Sequence, residues 1–60
     1  MSNENELNAK LRGIQVALDE LEIKNDKGMI DIGRYMSLKA EYETHKAKLE
    51  GKLDNLARGQ

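Results

Sequence analysis

Two apolar stripes that mirror each other about one glycine constrain this chain more than any other feature of its sequence. The first is Leu7, Leu11, Ile14, Leu18 and Leu21, whose steps alternate between four and three, the spacing of a helix that packs along one seam. The second is Tyr35, Leu38, Tyr42, His45 and Leu49, again at three-four spacing, with Leu53 and Leu56 extending it. If the chain reverses symmetrically at Gly28, Leu7 faces Leu49 and Leu11 faces His45. Ile14 then faces Tyr42, Leu18 faces Leu38 and Leu21 faces Tyr35, each pair of numbers adding to twice 28. Independent stripes would not share a mirror point, so the pattern predicts an antiparallel αα-hairpin in a defined register.

The residues around the stripes punctuate the two helices. Asn3 followed by Glu6 has N-cap to N3 spacing, and Glu6–Lys10 and Glu20–Lys24 are favourable i,i+4 pairs. The polar run Lys24-Asn25-Asp26-Lys27-Gly28 reads as a stop: lysines suit the negative end of the helix dipole, and glycine suits a left-handed residue just past the last turn. Asp31 is a good N-cap for the second helix, with Ile30 and Tyr35 at the two positions of a hydrophobic staple and Gly33 in the first turn, where it costs little. Asp54–Arg58 adds an i,i+4 pair, and Gly59 is a plausible stop. The fold class expected is all-α: a two-helix hairpin with helix one over about residues 4–25, a turn over about 26–30 and helix two over about 31–57. In this register Leu53 and Leu56 lie beside or beyond the start of helix one, where Met1 could cover part of them.

Composition narrows the function. Sixty residues make one domain, here residues 1–60, and a chain so short buries only about 60% of the surface its unfolded form exposes. The seam alone is therefore a thin source of stability, and dimerisation into a four-helix bundle is the expected remedy. There is no cysteine, so neither a disulfide nor a thiolate metal site is available. The formal net charge of −1 lacks the basic excess of a protein built to grip nucleic acid. The opening MSNENEL is polar and acidic, unlike a signal peptide, and no apolar run approaches the ~18 residues of a membrane span. A cytoplasmic protein is expected.

Candidate chemistry is sparse. His45 is the only histidine and stands at a seam position, where it reads as a half-buried packing residue whose protonation would weaken the hairpin. Tyr35 and Tyr42 share one face and read as packing residues. No nucleophile–base pair, phosphate loop or metal-ligand set appears, so neither an enzyme nor a cofactor is expected. Val16 and Ile23, with Ala9, lie opposite the first seam, and Met36, Ala40 and Ala47 lie roughly opposite the second. Together with Leu53 and Leu56, the residues Val16, Ile23 and Met36 are the candidate protein interface. Gly13 and Gly51, each costing about 1 kcal/mol against alanine in a helix interior, mark either close approach of a partner or local fraying.

The stretch around the turn resembles SHOCT, the short C-terminal domain, a small helical-hairpin module. The resemblance rests on Leu18 and Leu21, then Gly28, Ile30, Asp31, Tyr35 and Lys39, and it covers residues 18–42. Arg34 stands where that pattern has an acid, and Asp31 replaces its commoner Ser or Thr. The resemblance implies an interaction or oligomerisation module. In architecture the chain is also similar to the Rop-type plasmid copy-number regulators, dimers of helical hairpins that bind RNA. The leading expectation is a small non-enzymatic regulatory protein, homodimeric, that docks through its helix faces on a larger protein such as an enzyme, transporter or transcription component. The alternatives are a Rop-like dimer that binds RNA or DNA through Lys39, Lys46, Lys48, Lys52 and Arg58, and a peripheral membrane protein with one stripe on lipid.

Overall fold

The computed structural model describes residues 3–58 and consists of two helices, α1 (Asn3–Asp26) and α2 (Ile32–Ala57), packed side by side as a hairpin 45 Å long and 18 Å by 12 Å across. The all-α hairpin read from the stripes is the fold. Asn3 falls inside α1 rather than ahead of it as a cap, while Met1 and Gly59, proposed as a cover and a stop, lie outside the described residues.

The turn is built as its residues dictate. Gly28 has φ +68°, the left-handed conformation that glycine adopts without strain. Its N–H donates to the Asn25 carbonyl (3.1 Å), and the Met29 N–H donates to the Lys24 carbonyl (2.8 Å). These paired bonds form a Schellman motif and satisfy two carbonyls that the end of α1 would leave open. Asp31 then caps α2. Its carboxylate accepts from the N–H groups of Gly33 (3.0 Å) and Arg34 (3.3 Å). Any β-carbon at position 33 would sit 3.1 Å from that carboxylate, so glycine there leaves the cap unhindered. Ile30, half-buried, and Tyr35, buried, occupy the staple positions. Asp31→Ala should cost about 0.5–2 kcal/mol, read as a lower urea midpoint; an unchanged midpoint would show that the cap is dispensable.

The register differs from the symmetric one. Cross-helix polar pairs add to 57 for Glu22–Tyr35 and to 61 for both Glu22–Lys39 and Gln15–Lys46, not to twice 28. The cause is the asymmetry of the turn. Gly28 closes α1 two residues after Asp26, but Met29, Ile30 and Asp31 are still needed to reach the start of α2. The chain thus reverses near Met29 and Ile30. With facing numbers adding to about 60, Leu21 comes level with Leu38, Leu18 with Tyr42, Leu11 with Leu49 and Leu7 with Leu53. Leu53 and Leu56 therefore do not overhang: α2 ends level with the start of α1, and Leu7 and Leu56 border one stretch of surface.

The core that results is small. Leu7, Leu18, Leu21 and Tyr35 are buried; Leu11, Ile14, Leu38, Tyr42, Leu49 and Leu53 are half-buried. His45 is exposed, contrary to the half-buried packing role expected for it. It borders the open side between the helices with Ile14, Tyr42 and Leu49.

Candidate interaction surfaces

The two long edges of the hairpin differ. Along one edge the helices are bridged by polar side chains. The Tyr35 hydroxyl lies 2.7 and 2.9 Å from the two Glu22 carboxylate oxygens and donates to them. Lys39 Nζ pairs with Glu22 at 3.4 Å, donates to the Tyr35 hydroxyl at 3.3 Å, and lies 5.5 Å from the Tyr35 ring centroid. The hydrogen bond from the Tyr35 hydroxyl, opposed by burial and reinforced by Lys39, holds the Glu22 carboxyl below its ordinary pKa. The same hydroxyl and Glu22 raise Lys39. Further along, Lys46 Nζ donates to the Gln15 side chain at 3.1 Å. These pairs are partly exposed and salt-screened, so they align the helices more than they stabilise them.

The opposite edge is an open groove running the length of the hairpin. Near the turn it is lined by Leu21, Ile30, Leu38 and Arg34; at mid-length by Ile14, Ala17, Tyr42 and Leu49; and at the far end by Leu7 and Leu56. Ala17 and Tyr42 join the first two stretches, and Lys10 and Lys52 join the last two. None of Gln15, Glu22, Tyr35, Lys39 or Lys46, the bridging residues of the other edge, borders it. The groove is thus the side on which half-buried seam residues stay open to solvent.

Charge is divided in the same way. Five cations line the groove (Lys10, Lys24, Arg34, Lys48 and Lys52) against two carboxylates, Glu6 and Glu20. The groove therefore carries +3 in a chain of net −1, which leaves −4 for the remaining surface. All five cations are exposed, and among the described residues none of them makes an ion pair.

The five residues expected from sequence to form an interface lie in different places. Val16 and Ile23 are 55% and 51% exposed on the back of α1. Met36 is 62% exposed on α2 and borders none of the groove. Leu56, 37% exposed, borders the far end of the groove, and Leu53 is half-buried. Val16 and Ile23 stand two turns apart on one face of α1, away from Leu56 at the groove. Met29 and Ile32 are also exposed and fall outside the sequence stripes, because one lies in the turn and the other begins α2.

Gly13 borders the groove, and nothing lies within 4 Å of where its β-carbon would be; the same holds for Gly51. Packing within the hairpin therefore requires neither glycine. Among the described residues no group of three or more His, Cys, Asp or Glu is placed to hold a metal ion, and no helix is long and apolar enough to cross a membrane. No family model, curated protein or solved structure matches the chain.

Proposed function

We propose that this chain is a non-enzymatic interaction protein that acts as a homodimer and docks through its helix faces on a larger protein. The observation that carries this reading is the number of large apolar side chains left in water by a fold with only four buried ones among the described residues. Val16, Ile23 and Met36 are each more than half exposed, and Val16 and Ile23 recur two turns apart on one face of α1. Val16 and Ile23 are β-branched, a poor choice for an exposed helix face unless something covers it. The resemblance of residues 18–42 to the SHOCT hairpin points in the same direction. The contact residues proposed are Val16, Ile23, Met36, Leu53 and Leu56.

Replacing Val16 and Ile23 together by lysine should abolish capture of the partner in a pull-down from native lysate while far-UV circular dichroism stays helical. Sedimentation equilibrium of the unmodified chain should give twice its 6.8 kDa mass. Undiminished capture by the double variant would overturn the assignment of this face, and a monomeric mass at all concentrations would overturn the homodimer.

A further inference from the structure

We infer that the groove is the binding site for an acidic amphipathic helix supplied by a partner protein, which completes a three-helix arrangement. The inference rests on the reading of the chain as an interaction module and names the chemistry of what it binds.

Two helices packed along one seam leave a furrow on each side. Here one furrow is closed by the Glu22–Tyr35–Lys39 and Gln15–Lys46 bridges, and the other is left open with an apolar floor. Ile14, Leu38, Tyr42 and Leu49 on that floor are half-buried, a state that a third helix would complete. A helix of about 20 residues spans ~30 Å, which fits inside the 45 Å length of the hairpin. Gly13 leaves room for its backbone to come close, since a β-carbon there would have no neighbour within 4 Å.

The rim identifies the occupant. Lys10, Lys24, Arg34, Lys48 and Lys52, none in an ion pair among the described residues, outnumber Glu6 and Glu20 beside the floor, so the entering helix should carry Glu or Asp flanking an apolar stripe. A second copy docking groove to groove would set ten such cations against each other, which the charge disfavours. A nucleic acid would match the cations but leave the apolar floor uncovered.

The test uses the 60-residue chain and three fluorescent probes in anisotropy titrations. One probe is a synthetic helix with leucines at three-four spacing and glutamates elsewhere. The second is the same helix with lysines in place of the glutamates, and the third is a single-stranded RNA oligomer. The glutamate helix should bind at least about tenfold more tightly than either other probe, and raising the salt should narrow that margin. Ala17→Glu, which places an acid at mid-groove, should abolish binding while helicity is retained. Lys10→Glu with Lys52→Glu should shift preference toward the lysine helix. The Val16 and Ile23 lysine variant should bind the glutamate helix as the unmodified chain does, which separates this site from the face tested above. Equal affinity for both helices, or tighter binding of RNA, would overturn the inference. So would a homodimer that Ala17→Glu converts to monomer, because a second copy would then occupy the groove.

Discussion

Leu21→Ala is expected to remove cooperative unfolding from this chain altogether. Leu21 is the most deeply buried residue described, 4% exposed, and it lies five residues before the end of α1. Truncating a buried leucine costs about 2–5 kcal/mol in lost transfer energy and cavity. Domains are stable by only about 5–15 kcal/mol, and one of this length belongs at the bottom of that range. Alanine at 21 should therefore turn a sigmoidal thermal melt, followed by ellipticity at 222 nm, into a shallow slope. Val16→Ala is the matched control: its side chain is mostly in water and the change should stay within about 0.5 kcal/mol in the monomer. Similar melts for the two variants would mean that the seam is not where the stability lies.

Gly28→Val comes next in size. At φ +68° an L-residue brings its β-carbon against the following carbonyl, at roughly 1–2 kcal/mol, and branching at that carbon worsens the fit. The chain can relieve the strain only by abandoning the left-handed turn, and with it the bonds from Gly28 to Asn25 and from Met29 to Lys24. Nothing lies within 4 Å of the β-carbon position, so the penalty is conformational and not a clash. Asparagine tolerates this region better. The urea midpoint should fall further for Gly28→Val than for Gly28→Asn, and equal midpoints would show that backbone conformation at 28 is not what ends α1.

These two positions were also the most legible in the sequence. The leucine spacing and the lone glycine between polar residues led directly to the hairpin, and Asp31 led to the start of α2. The register was less legible, because reading it required knowing how many residues the chain spends between Gly28 and the α2 cap. A mirror at Gly28 assumes equal numbers on both sides; the Schellman turn and the Asp31 cap make them unequal. The Glu22–Tyr35–Lys39 cluster was hidden for the same reason, although Tyr35 and Lys39 at i,i+4 offered half of it. The groove depends in addition on which flank of each helix shares an edge. Lys10 and Lys24, and likewise Arg34 and Lys48, are separated by about four turns and so recur on one flank of their helix. That signal was present, but only the cross-helix contacts show that the two flanks adjoin.

The placement of the polar bridges along a single edge also makes the hairpin mechanically lopsided. Pulling the helices apart at the bridged edge breaks the contacts of Glu22 and Gln15, whereas splaying them at the groove breaks none of those bonds and only parts half-buried apolar side chains. The bridged edge acts as a spine and the other as the fore-edge of a book. The side from which a wedge would enter is thus the side that has none of these cross-helix bonds to break.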